Sequence, residues 1–345
     1  MIQIFNTVDK LLEEEFVDFT GGISFRNKWL HLENPTDREI ELIERLTGVD
    51  ADMIKAALDE EERARIETDE GDTLVLFDIP TIEEEENYYS YSTMPLGVIL
   101  SGSCMITVCL KENSIISNFV NNRVKKVDTA RRTNFLYQLL YHTHVKFLQY
   151  LRQIDRSSQR IQTELHRSTK NKELIQLLDL ENSLVYFSTS LRANSLIIEK
   201  LGRMYPPRNE DDEALLEDVG IENKQAMDMC NVYRDILSGT MDAYASIISN
   251  NQNIIMRLLT VATVIISIPT LVASFWGMNT GVPFQGETWG FYVVLGVSVA
   301  AAAIAGYFLL RGKKENKKKK AGFSVPSDRQ KGARKTKYSW RKSVK

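Results

Sequence analysis

Cysteine is scarce: the 345 residues include three, Cys104, Cys109 and Cys230, and no CxxC pair. That argues against a disulfide scaffold or a cysteine zinc site and makes a reducing, cytosolic setting the default for the bulk of the chain. The opening stretch MIQIFNTVDKLLEEEF has neither a basic segment nor a long apolar core, so no cleaved signal peptide is expected. No GxxxxGK[ST] phosphate loop occurs, and no nucleophile–base pair or metal-ligand cluster stands out. Histidine is also thin. His31, His142, His144 and His166 are scattered, and His142 and His144, two apart, point to different helix faces.

Net charge is nearly absent too, at -3, but the sum is misleading. Residues 311–345 hold 15 Lys+Arg against 2 Asp+Glu, a charge of +13, which leaves -16 on positions 1–310. Such asymmetry is a reason to look for a membrane or a nucleic acid. An apolar content of 43% excludes wholesale disorder.

Residues 1–128 read as an α/β cytoplasmic domain. Strands are expected at Ile2–Phe5, Ile23–Leu32, Arg65–Glu67, Thr73–Ile79, Tyr88–Ser92, Gly97–Ser101 and Cys104–Leu110. Helices are expected at Asp37–Leu46 behind Thr36 and at Ala51–Glu62 behind Asp50, and the acidic run Glu83–Glu86 reads as a solvated loop. From 129 to 209 apolar residues recur at threes and fours on either side of a polar break near Arg167–Asn171, which predicts an antiparallel helical pair. Pro206 and Pro207 end it. A long stalk helix follows over 210–276, free of proline until Pro269.

Two segments without charge close the chain. Leu258–Trp276 and Trp289–Leu310 run for 19 and 22 residues, matching the ~20 needed to cross a bilayer's ~30 Å of hydrocarbon. The loop between them, 277–288, has no Lys or Arg, whereas Arg311, Lys313, Lys314 and Lys317–Lys320 follow the second span. Positive charge stays inside, so both termini are expected in the cytoplasm of a multi-pass cell-membrane protein, with the short loop outside. Trp276, Trp289 and Tyr292 suit an outer aromatic belt. The basic tail 311–345 is then explained by topology and anionic lipid, and no nucleic acid is expected.

The first span is not merely apolar. At spacings of four and three the chain reads Asp242, Ser246, Ser249, Asn253, Met256, Thr260, Thr263, Ser267, Thr270 and Ser274, nine of ten polar. That period puts them on one side of a helix. Hydroxyl faces also pack helices in lipid. A water-filled path is the reading the stripe favours, because it continues past the bilayer to Asn253 and Asp242. One such helix cannot enclose a path, so several copies must assemble symmetrically.

At the outer end stands Gly277-Met278-Asn279. Repeated about an axis, Asn279 would form a ring of amide carbonyls, suited to a cation such as Mg²⁺ that sheds its water reluctantly. With Leu216-Glu217-Asp218-Val219, Tyr233-Arg234-Asp235, Ser238-Gly239, Asp242, Tyr244, Ser249-Asn250, Asn253 and Met256 before it, this signature closely resembles the CorA family of divalent-cation channels. The residue-level match runs from about Leu215 to Thr280; over 1–210 only the order of elements agrees.

The resemblance implies an α+β cytoplasmic domain, a stalk and two transmembrane helices in a homopentameric funnel. That funnel would pass Mg²⁺, and also Co²⁺ or Ni²⁺, passively into the cell. Gly277, Met278 and Asn279 would be the selectivity filter. Ser249, Asn253, Thr260, Thr263, Ser267, Thr270 and Ser274 would line the path, Met256 and Leu259 the hydrophobic gate, and Asp242 the inner mouth. Intracellular Mg²⁺ held between subunits by Asp218, with Glu83 or Glu84 as partner, would keep the channel closed. One departure matters: where the family often carries a Met-Pro-Glu-Leu type loop, this chain has Thr280-Gly281-Val282-Pro283-Phe284, with Glu287 later. A proton-coupled Zn²⁺ transporter of the ZntB branch is the alternative within the fold. A membrane-anchored sensor or enzyme is the alternative outside it.

Overall fold

A computed structural model describes residues 1–16, 24–85, 88–102, 104–167, 171–279, 281–283, 287 and 289–321. Ile23, Thr280, most of the loop up to Thr288 and the tail beyond 321 lie outside the described residues, as does the His166 side chain.

Alternation of apolar side chains builds the soluble part. Seven strands, β1 (Ile2–Val8), β2 (Leu11–Glu14), β3 (Trp29–Glu33), β4 (Arg65–Asp69), β5 (Asp72–Glu85), β6 (Tyr88–Leu100) and β7 (Met105–Cys109), form one sheet. Their order is β2-β1-β3-β7-β6-β5-β4, antiparallel throughout except for the parallel β3–β7 pair. Because successive residues point to opposite faces, neighbouring side chains enter different cores. Leu30, Leu74, Leu76, Ile99 and Ile106 pack with Ile40 and Ile43 of α1 (Asp37–Thr47) and Met53 and Ile54 of α2 (Ala51–Ala56). Trp29, Val75, Phe77, Val98 and Met105 pack on the other side. There they meet α3 (Ser114–Val120), α4 (Arg132–Arg167), α5 (Asn171–Met204) and the beginning of α6 (Glu210–Trp276), through Phe119, Phe135, Leu201 and Val219.

Local chemistry places the helix ends. Thr36 and Glu39 form a reciprocal capping box, and Gly48 closes α1 at φ +80°. The helix expected to reach Glu62 stops at Ala56, because the Asp59 carboxylate accepts the Glu61 N–H at 3.0 Å and its carbonyl accepts the Glu62 N–H at 3.2 Å. Asp59 thus offers the backbone a turn in place of the helix.

The acidic run is strand rather than loop. Glu83, Glu84 and Glu85 belong to β5, which pairs with β6 without interruption from Thr73↔Leu100 to Glu85↔Tyr88. Tyr88–Ser92 and Gly97–Ser101 are accordingly one strand running through Pro95. Proline is tolerated there because β7 covers β6 only from Leu96 onward, so Pro95 owes no N–H to that neighbour. On the far side β4 covers β5 only as far as Leu76. Beyond it the buried Asn194 of α5 substitutes for a strand: its carbonyl accepts the Asp78 N–H at 2.9 Å and its amide donates to Asp78 O at 2.8 Å. Strand β2 and helix α3 were not anticipated.

Two histidines are core residues. His31 is bonded to Thr107 Oγ1 at 2.9 Å and His144 to Leu140 O at 2.7 Å, and burial lowers each to a pKa of about 4. Both are neutral near pH 7, which removes them as charged groups.

The chain forms two compact units, Met1–Ala243 and Tyr244–Lys345, with α6 contributing to both. Within the first, the residue that ends α2 lies close against β6: a Cβ on Gly97 would be 2.5 Å from Ala57 Cβ. Gly97→Ala should therefore cost about 1–3 kcal/mol of stability through overpacking. Thermal unfolding of the full chain measures this, with Gly102→Ala, where nothing lies within 4 Å, as the neutral control.

Candidate functional site

The second unit is built from two apolar helices, the end of α6 and α7 (Gly290–Ala321). Both are long and apolar enough to cross a membrane, and most of their surface is unburied. Leu259, Ile266, Phe275, Tyr292 and Phe308 are all more than half exposed, a cost that water would not allow but lipid does.

The side of α6 that meets α7 is well defined. Val261 is buried, Ile265 lies against Gly306, where a Cβ would be 3.2 Å from Ile265 Cδ1, and Ile268 and Val272 are partly covered. Arg257 Nη2 donates to Leu309 O at 3.2 Å, fastening α7, beyond its middle, to α6. Ser298 is buried and donates to Val294 O at 2.7 Å, which satisfies its hydroxyl on α7 itself.

The polar stripe is on the other side. At 100° per residue, Thr260, Thr263, Ser267, Thr270 and Ser274 centre roughly 150° from the packed positions 261, 265, 268 and 272. All five are exposed, as are Ser249, Asn253, Met256 and Leu259; Asp242, in the first unit, is exposed as well. Four hydroxyl hydrogens are used within the helix. Thr260 donates to Met256 O at 2.9 Å, Thr263 to Leu259 O at 2.9 Å, Ser267 to Thr263 O at 2.8 Å and Thr270 to Ile266 O at 3.1 Å. With the hydrogen engaged, each oxygen presents lone pairs to its surroundings. A row of acceptors is complementary to the water hydrogens that a hydrated cation turns outward.

The helix passes through Pro269 and ends at Trp276. Gly277 N–H closes on Ala273 O at 2.9 Å, after which Met278, half exposed, and the exposed Asn279 follow. Trp276 Nε1 donates to Pro283 O at 3.2 Å and draws the far side of the loop back toward the helix end. This hydrogen bond is local and involves Pro283, a residue of the segment where the chain departs from the family's usual loop.

The carboxylates expected to bind a regulatory ion are less clearly arranged. Asp218 is exposed on α6, and Glu83 and Glu84 are exposed near the end of β5. Glu83 accepts from Lys111 Nζ at 3.0 Å, with Glu60 3.7 Å from the same ammonium. Among the described residues no three His, Cys, Asp or Glu side chains come together as a metal site. Asp218 and Glu222 face Tyr141, whose hydroxyl is raised above its ordinary value mainly by burial and then by these two charges.

Sequence reasoning missed one feature altogether, a cavity of about 440 Å³ between the β5–β6 hairpin and α4. Its lining comes from three separate elements, so no local motif marks it.

The model of one protein family, described as CorA-like Mg²⁺ transporter protein, matches residues 26–314. The chain belongs to the CorA family. It is 26% identical over 309 residues to the cobalt/magnesium transport protein CorA of Methanocaldococcus jannaschii, covering 88% of this chain and 96% of that one. The CorA of Thermotoga maritima, also a cobalt/magnesium transport protein, is 23% identical over 321 residues, covering 89% and 90%. In structure the chain is similar to the complete CorA magnesium transporter of M. jannaschii, with a TM-score of 0.75 at 23% identity, covering 89% and 96%. The family match therefore takes in residues 26–210 as well, where the sequence showed only an order of elements. The family is one of transporters rather than enzymes.

Helix pairing in the second unit depends on a small residue facing Ile265. Gly306→Leu should weaken it by about 1–3 kcal/mol, since the added side chain must displace Ile265. Gly296→Leu, at a position with nothing within 4 Å, should not. Thermal unfolding in mild detergent separates the two.

Proposed function

We propose that the chain assembles as a homopentamer in the cell membrane and conducts Mg²⁺ passively into the cytoplasm, with Co²⁺ and Ni²⁺ as further cargo. The observation that carries this reading is the exposed acceptor face of α6, set away from the side that packs on α7. A symmetric ring of such helices would surround a path lined by Thr260, Thr263, Ser267, Thr270 and Ser274, with Asn253 and Asp242 further in. The cobalt/magnesium transport relatives support the same cargo. Both termini would be cytoplasmic, as the basic residues after the second span require.

In this mechanism Asn279 supplies a ring of amide oxygens that accept from the inner-shell waters of Mg²⁺, so the ion need not be stripped. Gly277 ends the helix and Met278 follows it, together setting where that ring lies. Met256 and Leu259 place apolar side chains on an otherwise polar face, where a constriction can exclude water. The membrane potential is sufficient drive: a divalent charge gains ~4.6 kcal/mol per 100 mV, twice the ~2.3 for a single charge.

Closure would come from the cargo itself. Mg²⁺ bridging Asp218 of one subunit and an acid of the next would offset the repulsion between acidic surfaces, and loss of the ion would release it. Of the two partners, Glu84 fits better, since Glu83 already accepts from Lys111. Two exposed carboxylates with solvent around them suit a hydrated Mg²⁺, which keeps several of its waters.

Asn279→Ala should abolish Mg²⁺ influx into vesicles reconstituted with the protein, and unchanged uptake would sink the filter assignment. Run with competing metals, the same assay addresses cargo: influx that prefers Zn²⁺ and demands a proton gradient would favour the ZntB-type alternative. Millimolar Mg²⁺ should protect the soluble unit of the full-length protein from protease, and Asp218→Ala should lose most of that protection. Equal protection in both removes Asp218 from the closing site.

A further inference from the structure

The cavity between the β5–β6 hairpin and α4 has a composition that the transport reading does not use. Tyr89 and Tyr91 of β6 and Lys146, Tyr150, Gln153 and Arg156 of α4 line a space of about 440 Å³. That volume is in the range of small-molecule sites. It lies wholly within the first compact unit.

Two cations, Lys146 and Arg156, stand at its wall. Among the described residues neither Lys146 nor Arg156 has a carboxylate within ion-pair distance, although the chain is acidic up to position 310. Lys146 Nζ is instead held over the Tyr150 ring, 4.8 Å from its centroid. Burial keeps its ammonium below the ordinary lysine value, with no anion to offset that cost. A half-buried cation resting on an aromatic face is one for which an anionic ligand is the missing complement.

The aromatic groups are sorted by exposure. Tyr91 and Tyr150 are buried and edge-on at 5.7 Å, and the Tyr91 hydroxyl donates to Gln153 Oε1 at 3.4 Å. They form the wall. Tyr89 is 51% exposed, which leaves its ring free for stacking at the mouth. Gln149 and Gln153 add amides able both to donate and to accept, as recognition of a base edge requires. Glu84, opposite Tyr89 in the strand register, stands beside the cavity without lining it.

We propose that this cavity binds a nucleotide, its phosphates held by Lys146 and Arg156 and its base stacked on Tyr89. Inorganic phosphate would use the cations and leave the rings idle. An uncharged ring would do the reverse. A nucleotide uses both, since every base has a face that stacks on an aromatic side chain and phosphate oxygens accept from lysine and arginine. The transport proteins' cargo would then be joined at the soluble unit by a second kind of ligand, carrying negative charge to within reach of the β5 acids.

The test is calorimetric titration of the full-length protein in mild detergent, at fixed free Mg²⁺, with ATP and with inorganic tripolyphosphate. It reads binding and not transport, so its outcome is independent of the proposed channel function. ATP should bind saturably, one per chain, and more tightly than tripolyphosphate. Lys146→Gln with Arg156→Gln should weaken ATP about tenfold or more, as loss of two charge-assisted contacts demands. Tyr89→Ala should weaken ATP while leaving tripolyphosphate unchanged. Unaltered thermal unfolding shows that the variants fold. Absence of ATP binding at millimolar concentration, equal affinity in the double variant, or tripolyphosphate binding as tight as ATP with Tyr89→Ala silent, each overturns the proposal.

Discussion

An apolar helix with one hydroxyl face is not at rest in lipid on its own, and much of the second unit follows from that constraint. Backbone groups at membrane depth must be satisfied internally, and α6 does so along its span except where Pro269 lacks an N–H. Thr260, Thr263, Ser267 and Thr270 satisfy their hydrogens in the same way, on carbonyls one turn back. What remains is the acceptor side of each oxygen. The opposite face is taken by α7 through Val261, Ile265 and the close approach at Gly306, so in the single chain the acceptor face is left uncovered.

The soluble unit depends on a different balance. A sheet buried on both faces needs every interior strand edge paired, and β5 outruns its neighbour β4. Asn194 covers the gap with the donor and acceptor that a strand would have supplied, from a helix packed on the sheet. Leaving those two groups unpaired in a dry interior would cost about 1–3 kcal/mol each. The same economy of space explains Gly97, which lets Ala57 reach the strand. Both residues hold the long hairpin that carries Glu83 and Glu84 and forms one wall of the tyrosine-lined cavity.

Legibility in the sequence followed the range of the interactions. The spans, the stripe and the Gly277-Met278-Asn279 end were readable because each is a pattern along one helix, with a period set by its own geometry. The start of α1 behind Thr36 was readable because a cap is likewise a local feature. Tracing β5 through an acidic run, and β6 through Pro95, was not. Charge and proline both argue against a strand locally, and only the ends of the neighbouring strands make them acceptable there. Helix α3 and strand β2 are short, with seven and four residues, too few for a period to show.

By itself, then, the sequence determined the membrane spans, the side of the helix that is polar and the identity of the residue at its outer end, since these depend on spacing within one element. The tertiary structure alone decided that Glu83 is ion-paired with Lys111 while, among the described residues, Glu84 has no ion pair. It also decided that His31 and His144 are neutral core residues and that Lys146 and Arg156 meet three tyrosines in one cavity. Those outcomes depend on which charges and surfaces are brought close across many residues of chain, and on how much water is excluded when they meet. Neither quantity is written in local order.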